Sequence, residues 1–248
     1  MPILMVTGAA QRIGRAIVLH FAKLGWDAVV HYHTSSQKAE NLKEEIESYG
    51  QKCWLVQADL AQESQVAGLM EKVQAIAGRI NLLVNNASTF KYDNFKTVTR
   101  ESWDYHMEPN LRAPLVLSQE FQRLMGKGMI VNLLDQRVWN LTPHYLSYSI
   151  SKYGLWGLTQ ALALAMAPSI RVNGIGPGPT LKNVNQSEAQ FVKQCFSTPL
   201  GKGGGTDEIA RAIEFLWNAP SVTGQMIAID GGQHLGWMVP ENMGQRDD

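Results

Sequence analysis

Tyr148 stands four residues before Lys152 in the stretch Tyr148-Ser149-Ile150-Ser151-Lys152, with Asp135 upstream of both. On a helix that spacing sets a phenol and an ammonium on one face, about one turn apart. The ammonium charge favours the phenolate and so draws a tyrosine pKa from about 10 towards neutral pH, where a general acid or base works best. The trio reads as a proton-delivery site. Tyr-x-x-x-Lys also occurs on ordinary solvated helices, so its meaning depends on what the chain assembles around it.

The elements needed to carry such a site are legible. Residues 3–7 form a short apolar run that meets Gly8 and opens into an amphipathic stretch, 13–24, closed by Gly25. This predicts strand, turn and helix. Further strands are predicted over 28–32, 53–57, 81–84, 129–134, 170–175 and 225–229. Helices are predicted over 36–49, 63–77, 111–125, from the Tyr148 region to about 167, and over 206–217. Short continuous apolar strands separated by helices of ten or more residues predict a parallel sheet covered on both faces. The fold class is therefore α/β: a single-domain, Rossmann-type, doubly wound seven-stranded parallel sheet spanning 1–248. One long irregular piece, 176–205, contains Pro177, Pro179 and Pro199 and follows the sixth strand, where such sheets bind ligands. It is expected to be a substrate-binding lid.

Composition bounds the partners. With 248 residues, 45% of them hydrophobic, the chain can bury a large core. Lys plus Arg equals Asp plus Glu at 22 each, which leaves no electrostatic footprint for nucleic acid or an anionic membrane. A small-molecule partner is expected. Cys53 and Cys195 alone make neither a disulfide framework nor a zinc site, and His31 with His33 lacks a third ligand, so no metal is expected. The first apolar run is too short for a signal sequence and no run of about twenty apolar residues follows, which points to a soluble, cytoplasmic protein.

Around the first turn, Thr7-Gly8-Ala9-Ala10-Gln11-Arg12-Ile13-Gly14 joins strand to helix at the place where an open sheet receives a dinucleotide pyrophosphate. Gly8 suits the tight turn and Gly14 close helix packing, but Arg12 occupies the position of the usual middle glycine. At the end of the second strand a carboxylate would bind ribose hydroxyls and repel a 2′-phosphate. The segment His31-Tyr32-His33-Thr34-Ser35-Ser36 has none, which favours NADP over NAD, although the hydroxyls would equally cap the next helix. Asp59 and Asn85-Asn86-Ala87 fall at the ends of the third and fourth strands, where the binding crevice opens.

Taken together these residues resemble the short-chain dehydrogenase/reductase family over essentially the whole chain. The resemblance implies that Tyr148 exchanges a proton with substrate, that Lys152 lowers its pKa and holds the nicotinamide ribose, and that Asn110 anchors a water. It further implies cofactor contacts from Gly8, Arg12, Ile13 and Gly14, from His33, Thr34 and Ser35, from Asp59 and Leu60 near the adenine, and from Asn86, Ala87, Ser88, Pro177 and Gly178. Asn173 ahead of Pro177-Gly178 matches as well. A homotetramer packed through helices 111–125 and 147–167 is implied, and Trp237 and Met238 in the tail 233–248 would close a neighbour's site.

Most members carry a serine thirteen residues before the tyrosine; here that position is Asp135. A bare carboxylate would repel a developing oxyanion, whereas it suits a nitrogen heterocycle. Asp135, Arg12, His31-Tyr32-His33 and the run from Asn86 to Phe90 resemble the pteridine reductase and dihydromonapterin reductase branch. The matching phenylalanine there stacks on the pterin, which gives Phe90, Ser88, Arg12, Asp135, Tyr148 and Leu181 as expected substrate contacts. The implied activity is NADPH-dependent reduction of a dihydropterin of the dihydromonapterin, dihydrobiopterin or dihydrofolate type. A carbonyl reductase of a 3-oxoacyl thioester or sugar is the alternative, followed by an NADP-sensing regulator without turnover. Thr34 stands where relatives use an arginine on the 2′-phosphate.

Overall fold

The computed structural model describes residues 1–183 and 186–236. Seven parallel strands lie in the order β3-β2-β1-β4-β5-β6-β7, with β1 Ile3–Val6, β2 Asp27–Tyr32, β3 Cys53–Gln57, β4 Leu82–Asn85, β5 Gly128–Leu133, β6 Ile170–Pro177 and β7 Met226–Ile229. Because β1 pairs with both β2 and β4, the strand order reverses there, and a crevice opens beyond the carboxyl ends of β1 and β4. The strands read as continuous apolar runs because helices cover both faces. On one face α1 Arg12–Lys23, α2 Ser36–Ser48 and α9 Thr206–Asn218 enclose Val6, Ile17, Phe21, Val30 and Ile213. On the other, α3 Glu63–Ala67, α4 Leu69–Ala77, α6 Ala113–Met125 and α7 Leu146–Ala165 enclose Met5, Val73, Leu83, Phe121 and Ile130. Complete burial of each such side chain contributes about 1.5–3 kcal/mol, enough in sum to hold the strand ends rigidly at the crevice.

Three departures from the sequence expectation have local causes. The 63–77 helix is two helices, divided at Gly68. An additional helix, α5 Arg100–Met107, is set by a Thr99/Ser102 capping box; of its residues only His106 is buried, so no apolar stripe announces it. A π turn, Glu108–Arg112, with Pro109 in its first turn, then leads into α6, which begins at Ala113 rather than 111. The stretch 176–205 is also less irregular than expected. β6 continues to Pro177, and α8 Glu188–Phe196 forms behind a Ser187/Gln190 capping box with no buried residue. Among the described residues no helix is long and apolar enough to cross a membrane. Gln233–Leu235 forms a 3-10 turn, while Trp237 and Met238 lie outside the described residues.

Candidate active site

Two residues past the end of β5, Asp135 starts a 3-10 turn, Gln136–Val138, and its Oδ1 accepts from the Arg137 backbone N–H at 2.8 Å. Tyr148, in the first turn of α7, donates its hydroxyl to Asp135 Oδ2 at 2.8 Å. One turn on, Lys152 is buried and donates Nζ to the Leu133 carbonyl at 2.7 Å, with that nitrogen 5.9 Å from the Tyr148 ring centre. Burial lowers the Lys152 pKa to about 8, against which the Asp135 charge acts. For Tyr148 the outcome is opposite to the sequence expectation. Burial, then the neighbouring carboxylate, drives its phenol well above 10; Arg137 is the cation that opposes the rise. Burial leads, and the Asp135 carboxylate adds to it because it bonds the hydroxyl directly while the Lys152 ammonium is engaged with a carbonyl.

Arg137 joins the site without having been singled out from the sequence. Its Nη1 lies 2.8 Å from Asp135 Oδ2, and the pair is largely buried. The guanidinium carbon also lies 5.8 Å from the Phe90 ring centre and 5.6 Å from that of Tyr145. These two rings stack at 4.5 Å and 13°, and Phe90 meets Tyr148 edge-on at 4.6 Å. One face of Phe90 is therefore taken by Tyr145, a contact not expected from the residue pattern. Tyr145 sits in the left-handed backbone region at φ 57° just before α7, its N–H held by the Asp93 carbonyl at 2.8 Å. Asp93 is buried, accepts the Ser147 N–H at 3.1 Å and bonds the Ser147 hydroxyl, which His106 also contacts at 2.7 Å. This polar knot fixes the aromatic loop to the start of α7. Asn110 acts alongside it: Oδ1 accepts the Thr89 N–H at 2.9 Å, and Nδ2 donates to Thr89 O and the Ser151 hydroxyl, each at 3.1 Å.

Next to this group is a cleft of about 190 Å³, bordered by Leu134, Asp135, Tyr148, Lys152, Pro177 and Gly178 and by Thr180 and Leu181. Arg12, Ile13, Asn86 and Ser88 line both this cleft and a second of about 590 Å³ that continues along the first turn. The second is bordered by Gly8, Gly14, His33, Thr34, Ser35 and Ala87, as expected, and by Tyr105, which was not. Leu60 packs its side chain into the core beside Val66, and Asp59 lies at the edge, 3.9 Å from His33 Nε2. Neither residue lines either of these two clefts. Gly8 has φ +61°, and a Cβ on Gly14 would stand 2.6 Å from Gly8 O. Arg12 takes the middle-glycine position at φ 55° and donates to Lys182 O at 3.0 Å and Leu181 O at 3.2 Å, bridging to the chain beyond β6.

The turn suits a dinucleotide. A helix leaves its first N–H groups without intrahelical partners, and at α1 the N-cap residue Gln11 makes no side-chain capping bond and no acid stands in the first turn. His31 holds the turn: its Nδ1 accepts the Gly8 N–H at 3.0 Å and its Nε2 meets Ala58 O at 3.1 Å. Among the described residues no Asp or Glu lines the larger cleft, and Lys38, unmarked in the sequence, donates to Gln11 Oε1 at 2.6 Å. An additional phosphate beside Thr34 and Ser35 would meet hydroxyls and a nearby ammonium.

A doubly wound sheet with an open phosphate turn at its switch point and a Tyr–Lys pair across the crevice defines a dinucleotide-dependent oxidoreductase scaffold. The chain belongs to the short-chain dehydrogenase/reductase family. The family model described as enoyl-(acyl carrier protein) reductase matches residues 8–234. The 3-oxoacyl-(acyl-carrier-protein) reductase FabG of Staphylococcus aureus is 30% identical over 239 residues, covering 93% of this chain and 97% of that protein. Among solved structures, FolM alternative dihydrofolate reductase 1 of Brucella suis, in complex with NADP, is 41% identical with a TM-score of 0.92 and 97% of each chain covered. The Brucella canis FolM complex with NADP is 39% identical at a TM-score of 0.90, again covering 97% of each chain.

Proposed function

We propose that the chain is an NADPH-dependent reductase of a dihydropterin, acting at the N5=C6 bond. The observation that carries this reading is the aromatic platform. Phe90, braced by Tyr145, lies edge-on against Tyr148, so a surface suited to a flat heterocycle adjoins the proton donor. The likeness to the two FolM reductases supports it. When bound, NADPH supplies the hydride that reaches C6. The chain's own residues do the rest. Gly8, Gly14 and the open α1 N-terminus would hold the pyrophosphate, while Thr34, Ser35 and Lys38 would take the 2′-phosphate. Tyr148, directly or through water ordered with Asp135, delivers the proton to N5. Asn110 and Lys152 keep the helix and the Leu133 carbonyl in register, and the chain from 178 to 205, latched by Arg12, serves as the lid that excludes water. A homotetramer in the cytoplasm is our expectation for the assembly.

Two observations favour the second reading, a carbonyl reductase. Arg137 compensates the Asp135 charge, so the repulsion of an oxyanion that argued against a carbonyl substrate is reduced. The FabG relative points the same way. The deciding assay follows NADPH absorbance with 7,8-dihydromonapterin, 7,8-dihydrobiopterin and dihydrofolate beside an acetoacetyl thioester, with Asp135→Ser in parallel. Turnover of a dihydropterin that the variant loses is expected; turnover of the thioester alone would overturn the reading.

A further inference from the structure

We propose that Arg137 is a positioning residue for proton delivery, holding Asp135 as a fixed acceptor towards Tyr148 while bracing the aromatic platform. The inference rests on the reading above that Asp135 and Tyr148 face the bound ring. A carboxylate offers about four acceptor sites on its two oxygens. Three are filled from the protein: Oδ1 by the Arg137 backbone N–H, and Oδ2 by Arg137 Nη1 and the Tyr148 hydroxyl, each at 2.8 Å. The remaining site is on Oδ1, and Asp135 borders the smaller cleft. It can take an N–H of a heterocycle or a water; it cannot donate while the guanidinium, always charged, stays beside it.

The same guanidinium lies against Phe90 and Tyr145, so one side chain sets both the direction of the carboxylate and the plane of the platform. Orientation of both is what hydride and proton transfer to adjacent atoms of one ring would require. The groups facing the carboxylate are Tyr148 and Lys152 from α7, with Tyr145 just ahead of that helix and Arg137 on the 3-10 turn. His106 from α5 meets the Tyr148 ring, at 5.9 Å between centres. Among the described residues lining the smaller cleft Asp135 is the sole acid.

The test uses the full chain with Arg137→Gln and Arg137→Lys, assayed with whichever of the dihydropterins or the thioester the parent turns over. NADPH affinity by fluorescence, thermal stability and the separate values of kcat and KM are read. For Arg137→Gln the expected result is NADPH affinity and KM within about twofold of the parent and kcat at pH 7 lowered about tenfold, because the carboxylate and the platform lose their fixed orientation. Arg137→Lys keeps the charge but not the planar fork, so kcat falls there too, by less than in Arg137→Gln. Parental kcat in Arg137→Gln would overturn the proposal, as would loss of NADPH binding in both variants, which would make Arg137 scaffold only. If Arg137→Gln does not fold, Arg137→Lys decides alone: lowered kcat with unchanged NADPH affinity supports the role, and parental kcat or lost affinity refutes it. Turnover of the thioester alone removes the dihydropterin reading and the N–H acceptor consequence, yet leaves the positioning role open to the same measurement.

Discussion

A single buried proton decides much of the chemistry at Lys152. Its ammonium is buried and bonded to the Leu133 carbonyl, and burial brings its pKa to about 8. Above that pH the charge beside Tyr148 is lost. The alkaline limb of kcat is therefore expected to have its midpoint near 8, and Lys152→Met to remove that limb while lowering kcat by on the order of 100-fold. Activity that stays level to pH 10 in the parent would contradict this assignment. The spacing of Asp135, Tyr148 and Lys152 was readable in advance, because a strand end and a helix turn fix where side chains emerge. Arg137 was not. It lies on a short irregular turn without periodicity, and its direction is set by Phe90 and Tyr145, which reach it only through the fold. The raised Tyr148 pKa escaped for the same reason, since burial is a property of the packed state.

At the scale of elements, the crossing of α1 over β1 depends on Gly14. A Cβ there would stand 2.6 Å from Gly8 O and 2.7 Å from Asn86 Nδ2, so helix and turn would have to separate. Gly14→Ala is expected to lose about 1–3 kcal/mol in urea unfolding and to weaken NADPH binding together with it. Gly68→Ala, between α3 and α4 with open space around it and an ordinary right-handed backbone, is the control and should be neutral or slightly stabilising. Equal effects of the two would show that close approach at Gly14 is not what matters. Strands and long amphipathic helices were legible from apolar runs and spacing. By contrast α5 and α8 begin at capping boxes and bury one residue and none, so the hydrophobic pattern that reveals a helix was missing from both.

For the molecule as a whole, His31 ties together the ends of three strands, accepting from Gly8 after β1 and meeting the carbonyl of Ala58 after β3. Burial lowers its pKa from 6.5 to about 4. The folded chain then binds fewer protons at this site than the unfolded chain between those pH values, so stability falls as pH drops from about 6.5 to about 4, by about 3 kcal/mol. Urea unfolding across that window should show the loss, and His31→Asn should flatten it; an unchanged slope in the variant would assign the effect to other groups. By itself the sequence determined the parallel sheet, the place of the crevice and the Tyr148–Lys152 face, because periodicity and turn residues act over a few neighbours along the chain. The tertiary structure alone decided that Arg12 reaches the carbonyls of Leu181 and Lys182, that Leu60 turns into the core, and that Arg137 gathers Asp135, Phe90 and Tyr145. Those contacts join residues distant in the chain, and their energies depend on burial and charge proximity that exist only once the sheet has brought its strand ends together.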